Sequence, residues 1–448
     1  MKSNVKVKSV PVLNFEGGVS EKVSPEKKLE RAVASCMLFE NTYYESGVGI
    51  ADRIAELVPQ VELSVVGGIA IKAKEALKLR HVPLWVAVQM LKHPKKAWYP
   101  VDEVIEKVVR RPDELGEMVK LYWKGGKCPL AAALKRGLAM AFTKFDAYQL
   151  AKWNREAEIR LRDVLFMVHA KPKGEEQAAL WKQLVDGTLA PPDTWEVALS
   201  AGKEKKATWE RLLVTKKLPY MALLMNLRNM ESVGVERKLV QAALMQGAEK
   251  SRALPFRFVS AAKAAPGYAG DLSDAMVKAI KGALPGHTEL VVDVSGSMDS
   301  PLSTRSTLTL MEAAGALAVL AREVCESVSV WTFSNSLIQI PNYRGLALVD
   351  AIKNSQPHGG TYLRGALEKL GTRVSKADRV IVITDEQAQD AETVKVGKGY
   401  IINVGPYNKG LKLGKTWQRV NGWSERVLDW VCFEEYGKLV GDFEGGED

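Results

Sequence analysis

The sequence predicts a multidomain α and α/β chain, with an α-helical repeat array over residues 1–284 and a doubly wound α/β domain over residues 285–448. Three observations predict it. Pro83, Pro129, Pro172 and Pro219, spaced by 46, 43 and 47 residues, each stand before an apolar, helix-like segment. From Pro285 onward, short β-branched runs alternate with helical ones, the pattern of a parallel sheet covered by helices. The charge divides at the same place: residues 1–284 carry 46 Lys and Arg against 32 Asp and Glu, a net +14, and the remainder 17 against 21, a net −4. At 448 residues the chain also exceeds one ordinary domain of about 100–200 residues.

In the first part the helical segments are "PLWVAVQMLKH", "PLAAALKRGLAMAF", "PKGEEQAALWKQLV" and "PYMALLMNLRNM". Proline suits a helix's first turn, where its missing N–H costs nothing. In the last segment Leu223, Leu224, Leu227 and Met230 form one apolar stripe, and Asn226, Arg228 and Asn229 are expected off it. A stripe needs a neighbour, and a period near 45 residues with two helices per unit is that of HEAT-like stacking.

The basic balance favours a polyanionic partner, because phosphates release counterions when they meet Lys and Arg; a solubilising surface explains the charge equally well. Two stretches supply cations for exposed faces, residues 128–145 with Lys135, Arg136 and Lys144, and residues 160–173 with Arg160, Arg162, His169, Lys171 and Lys173. Their alternative role is a solvated helix face whose C-terminus is marked by "HAKP", His169 and Lys171 meeting the helix dipole before Pro172.

Other classes are argued against. No apolar run approaches the roughly 18 residues of a membrane span, and "MKSNVKVKSVPVLNFEGG" lacks a signal-like apolar core, so a cytoplasmic protein is expected. Cys36, Cys128, Cys325 and Cys432 contain no C-x-x-C pair, and His81, His93, His169, His287 and His358 are scattered without the spacing of a zinc hydrolase.

In the second part the elements follow in order: "ELVVDVS" (strand), "LTLMEAAGALAVLAREV" (helix), "SVSVWTFS" (strand), "ALVDAIKNS" and "LRGALEKLG" (helices), "DRVIVITDE" and "YIINVG" (strands), and "WSERVLDWVCF" (closing helix). Ligands of such sheets gather beyond the C-terminal strand ends, where both "DVSGS" and "ITDE" fall. Two-residue spacing in an extended segment points Asp293, Ser295 and Ser297 the same way, and convergent hard oxygens suit a divalent cation. Thr361 follows two glycines in "HGGT", expected to let the backbone approach a ligand.

With Asp385, these residues resemble the metal-ion-dependent adhesion site of a von Willebrand factor A domain, a Rossmann-like fold. The resemblance implies that Asp293, Ser295, Ser297, Thr361 and Asp385 hold Mg²⁺, with a carboxylate from a partner as the outside ligand. A haloacid dehalogenase-like phosphatase would need a second aspartate two residues after the first; Ser295 stands there and cannot act as a general acid near neutral pH. With no other catalytic constellation in view, a non-enzyme is expected.

A basic repeat part followed by an A domain resembles the Ro autoantigen family, whose repeat part is the TROVE module. "LFENTYYESGVGI" (38–50), "RDVLFMVHAKP", "LPYMALLMNLRNM", "LVVDVSGSM" and "HGGT" resemble its segments, in order along nearly the whole chain. The resemblance implies a ring of HEAT-like repeats whose central hole takes single-stranded 3′ ends of misfolded or immature noncoding RNA. It also implies Y RNA on the outer surface, an exoribonuclease partner such as polynucleotide phosphorylase, and a monomer. Carried onto this chain, the RNA-binding set is Lys135, Arg136, Lys144, His169, Lys171 and Arg228. Arg228 stands in for a cation that relatives carry where this chain has Met225. The alternative is a metal-dependent protein-adhesion module with no direct RNA role.

Overall fold

The computed structural model describes residues 12–14, 16, 19–20, 24–35, 38, 46–77, 79–191, 195–200, 204–251, 253–302, 306–390, 394–405, 407, 410–422, 426–438 and 440. Most of the Thr-Tyr-Tyr segment, residues 39–45, lies outside them. The chain forms two compact units, one of residues 25–40 and 47–247, the other of residues 1–24, 41–46 and 248–448.

The first unit is a stack of helices. Val82–Met90 is buried on every side, whereas Val101–Val108, Ala132–Phe142 and Leu161–Val168 bury one face each. Those three pack in succession, Val101–Val108 on Ala132–Phe142 and Ala132–Phe142 on Leu161–Val168. This is the mutual covering that repeat units need, since none can bury its stripe alone. Close approach at the first of these contacts needs Gly137: a Cβ there would meet the Ile105 side chain at 2.7 Å and the Asp102 carbonyl at 2.8 Å. Leu84, Met90, Ile105, Leu115, Leu134, Leu138, Phe142 and Val164 join one continuous core, and Trp181 meets Phe142 edge-on at 5.3 Å.

The prolines mark helix starts at different offsets. Pro83 lies in the first turn of its helix and Pro219 is an N-cap, but Pro129 and Pro172 stand three residues ahead of helices beginning at Ala132 and Glu175. One assignment changes: Asn226, expected off the apolar stripe, is buried. It is tolerated because its amide donates to the Ala222 carbonyl at 2.8 Å and its oxygen accepts from Asn229 Nδ2 at 2.9 Å, which leaves no buried polar atom unsatisfied.

The second unit carries a short antiparallel ribbon, β1 (Val12–Leu13) with β2 (Val19–Ser20), and a six-stranded sheet. The sheet strands are β3 (Leu284–Asp293), β4 (Cys325–Phe333), β5 (Leu337–Gln339), β6 (Arg379–Thr384), β7 (Gly399–Asn403) and β8 (Trp417–Asn421), in the order β5-β4-β3-β6-β7-β8. All neighbours pair parallel except β5, an antiparallel edge to β4. The central β6 and β7 are buried throughout, as strands covered on both faces are. β5 and β8 are additions to the strands read from the sequence.

The two-part reading puts its boundary at 284/285; the packing divides the chain at 247/248. Helices Pro255–Ala264 and Ala269–Ala279 pack on Leu310–Val324 and Gly345–Lys353 of the α/β unit, where Phe258, Leu272 and Met276 are covered. Lys263 reaches across to Glu312 at 2.8 Å, and Ser273 Oγ accepts from Leu346 N at 3.0 Å. No helix among the described residues is long and apolar enough to cross a membrane.

Candidate functional site

Strand register assembles the candidate metal centre. β3 and β6 run parallel with Val292 beside Ile383, so the next residues, Asp293 and Thr384, meet: Thr384 Oγ1 donates to Asp293 Oδ2 at 2.6 Å. The other oxygen, Oδ1, accepts from Ser295 N at 2.9 Å. The Ser295 and Ser297 hydroxyls lie 3.4 Å apart, and Asp385 follows Thr384 directly. The third segment docks through Gly359, whose carbonyl accepts from Gly296 N at 3.1 Å, and Thr361 stands two residues on. Asp293, Ser295, Ser297, Thr361 and Asp385 are each at most 5% exposed.

The electrostatics ask for a cation. Burial, opposed by hydrogen bonds from Ser295 and Thr384, pushes the Asp293 carboxyl above the usual carboxylate range. Burial and the nearby Asp293 charge push Asp385 up as well, against hydrogen bonds from Ser297 and the Gln387 N–H. Two buried carboxylates that disfavour each other's ionisation become compatible when a divalent ion sits between them. Asp385 Oδ2 has no hydrogen-bond partner among the described residues, although it is fully buried. Two carboxylates and three hydroxyls are a hard-oxygen donor set, and they fit Mg²⁺. Among the described residues no three His, Cys, Asp or Glu side chains cluster as a metal site, and the candidate centre itself holds two carboxylates beside its hydroxyls.

Three supports escaped the sequence reading. Thr384 orients Asp293; Ser334 receives the Gly359 N–H at 2.9 Å and donates to the Gly360 carbonyl at 2.9 Å; and Asn335 Oδ1 accepts from Gly360 N at 2.9 Å. The two glycines serve this packing rather than a special backbone conformation, since a Cβ on Gly359 would lie 2.3 Å from Asn335 Nδ2. Thr384 alone had a local signal, its place beside Asp385 at a strand end.

The cations proposed for nucleic acid fall into two groups. Lys135, Arg136, His169, Lys171 and Arg228 lie at the surface of the repeat unit. Arg136 is paired to Asp102 at 2.7 Å yet stays 61% exposed. His169 closes the helix Leu161–Val168 in the left-handed region, at φ 53°, with its side chain outward. Lys144 differs. Its ammonium bonds Glu106 at 3.0 Å, the Val109 carbonyl at 2.8 Å and the Glu106 carbonyl, so it caps the C-terminal end of helix Val101–Val108. Burial draws its pKa below the ordinary lysine value, although Glu106 opposes this. Lys144→Ala is expected to lower repeat-unit stability by about 1 kcal/mol, a net charge-assisted hydrogen bond discounted for exposure, as read by urea denaturation.

Exposed apolar groups accompany these cations without having been singled out. Phe166, 58% exposed, lies between Arg162 and His169 on one helix face, and Met225, 73% exposed, precedes Arg228 by three residues. Trp153 lies under Arg111, at 3.9 Å, and Arg155, at 5.1 Å; Trp153 and Arg155 border a groove of mixed charge lined by Arg80, Lys120 and Arg160 with Asp113, Glu117 and Glu156. Aromatic faces beside guanidinium groups suit stacked bases. "KWNR" was the available signal for that groove.

Comparison with known proteins agrees with this architecture. The TROVE domain family matches residues 187–339, which span helices Lys205–Val214 and Tyr220–Ser232 and the sheet as far as β5. Telomerase protein component 1 of Mus musculus is 37% identical over 78 residues, 16% of this chain and 3% of that protein; the Rattus norvegicus protein is 38% identical over 78 residues, with the same shares. The chain thus aligns with a small fraction of these relatives' length. The crystal structure of Deinococcus radiodurans RO (RSR) protein superposes with a TM-score of 0.56 at 18% identity, covering 89% of this chain and 96% of that one. That likeness shows the fold: helical repeats with a von Willebrand A-like α/β domain.

Proposed function

We propose that the chain is an RNA-binding scaffold of the Ro type, a reading supported by the TROVE match over residues 187–339 and by the fold it shares with the Deinococcus radiodurans RO (RSR) protein. The observation that carries this reading is the outward placement of His169, Lys171 and Arg228, with Phe166 and Met225 beside them, on a strongly basic part of the chain. Cations beside exposed apolar and aromatic groups recognise single strands through phosphates and stacked bases, with little dependence on sequence. The scaffold takes single-stranded 3′ ends of misfolded or immature noncoding RNA, with a structured Y RNA as second ligand, and presents them to an exoribonuclease such as polynucleotide phosphorylase. It works as a monomer in the cytoplasm and carries out no chemistry itself.

The test is a titration with a single-stranded RNA at several salt concentrations. Affinity is expected to fall linearly on a log–log plot, and Lys171→Ala with Arg228→Ala to reduce the slope by about 0.7 for each cation removed. His169→Ala should weaken binding without altering the fold. Salt-independent binding, or unchanged affinity in the folded triple variant, refutes the assignment.

A second reading rests on the unpartnered Asp385 Oδ2. Mg²⁺ held by Asp293, Ser295, Ser297, Thr361 and Asp385 would supply a positive charge able to take one carboxylate from another residue. This protein-adhesion role is compatible with RNA binding on the repeat unit.

A further inference from the structure

The loop that follows Asp385 has an unexpected neighbour. Asn14, at the start of the segment joining β1 to β2, is 5% exposed and donates its amide to the Ala388 carbonyl at 2.7 Å and, more weakly, to the Glu386 carbonyl at 3.5 Å. Two residues on, the Glu16 N–H bonds back to Asn14 Oδ1 at 3.1 Å, which turns the chain and places the Glu16 carboxylate against Gln389, whose Nε2 donates to Oε2 at 3.0 Å. Gln389 in turn donates its backbone N–H to the Thr361 carbonyl at 2.8 Å. The N-terminal segment is thus bonded to the loop after one proposed metal ligand, and one residue away from the backbone of another.

The loop itself is held rigidly enough to be read by such a contact. Glu386 has φ 61° and is fully buried, paired to Arg419 at 2.6 and 2.8 Å, while Gln387 N donates to Asp385 Oδ1 at 3.1 Å. A residue in the left-handed region persists only when its surroundings over-determine it. The Asn14 amide binds the carbonyls on either side of Gln387, so docking the N-terminal segment and holding Asp385 are coupled through a few covalent bonds. The five donor side chains are closed to solvent, which is not what a site open to a carboxylate from another chain would show.

We propose that the N-terminal segment is the built-in occupant of the adhesion site, with Asn14 as its latch and Glu16 as the carboxylate offered in cis. The proposal rests on reading Asp293, Ser295, Ser297, Thr361 and Asp385 as a cation site, and adds to it the source of the outside carboxylate. A partner's carboxylate then gains the metal only by displacing Asn14 and Glu16.

Mn²⁺ binding to the full chain, followed by electron paramagnetic resonance with and without acetate, tests this. The wild type is expected to bind Mn²⁺ with no response to acetate. Glu16→Gln is expected to bind it more weakly by about tenfold, the scale of losing a group that supports a metal site, with acetate recovering part of the loss. In limited proteolysis, Mn²⁺ should slow cleavage before Ser24 in the wild type but not in Asn14→Ala. Equal Mn²⁺ affinity and equal acetate response in wild type and Glu16→Gln overturn the proposal while leaving the metal site standing. Retention of Mn²⁺ binding by Asp293→Ala overturns the metal reading itself, and the cis carboxylate with it.

Discussion

Replacing Arg379 by alanine is expected to destabilise the α/β unit by about 3–5 kcal/mol, the cost of stranding one charge of a buried pair. Arg379 and Glu435 are 0% and 1% exposed, joined at 2.9 Å and 3.0 Å. The guanidinium also donates to Thr288 Oγ1 at 2.9 Å, to the Pro285 carbonyl at 2.6 Å and to Tyr436 Oη at 3.1 Å. One side chain therefore joins the starts of β3 and β6 to the closing helix Arg426–Tyr436. After its loss Glu435 keeps, among the described residues, only Lys398, at 3.3 Å and half exposed, as a charge partner.

Replacing both Arg379 and Glu435 by methionine should cost much less than either single change, because apolar side chains of similar volume need no counter-charge. Calorimetry on the four proteins of that cycle isolates the coupling, and an additive result would refute it. Acid adds an independent sign. Burial raises the Glu435 carboxyl, but Arg379 and Lys398 outweigh it and hold the group below the usual range. Its stabilisation is present above the unfolded carboxylate pKa and is lost as pH falls through the lowered folded value, so the wild-type advantage over Arg379→Ala should shrink in acid.

Adding Mg²⁺ at about a hundred times its dissociation constant is expected to stabilise the α/β unit of the wild type by about 2.7 kcal/mol, and that of Asp293→Ala not at all. Without metal the variant should differ little in stability from the wild type, because it removes the charge that helps push the Asp385 carboxyl upward but leaves Thr384 Oγ1 and Ser295 N without their acceptor. Thermal melts with Mg²⁺ and with chelator read both statements. A wild type whose melting ignores Mg²⁺ while Asp293→Ala melts far lower would make Asp293 a structural residue held by Thr384 and Ser295.

The geometry of the candidate metal site was legible because its parts are local. Asp293, Ser295 and Ser297 alternate after a buried strand, Asp385 ends another, and parallel register needs nothing further to bring the two strand ends together. The helices Ala132–Phe142, Glu175–Asp186 and Tyr220–Ser232 were legible for the same reason, since a stripe repeating every three to four residues has few other ways to leave water; Val82–Met90, buried all round, was marked instead by its proline and apolar run.

Where local pattern and distant partner disagree, the partner prevailed. Lys144 reads as an exposed cation, but the carbonyl ends of a helix 35 residues earlier claim its ammonium. Asn226 reads as a polar surface residue, yet neighbouring elements bury it, and the amide is satisfied within its own helix by Ala222 and Asn229. Helices Pro255–Ala264 and Ala269–Ala279 read as the end of the repeats, and packing assigns them to the α/β unit, whose helices Leu310–Val324 and Gly345–Lys353 cover their apolar faces. The contact of Asn14 with Ala388 spans 374 residues and has no periodicity to announce it. The sequence by itself determined the two-part architecture, the helical and strand segments and the five residues of the candidate metal site, because steric and hydrophobic periodicity act within a few residues. Only the tertiary structure decided which cations stay free of internal partners, where one unit ends, and what lies against the Asp385 loop, because those outcomes depend on which distant surfaces compete for the same group.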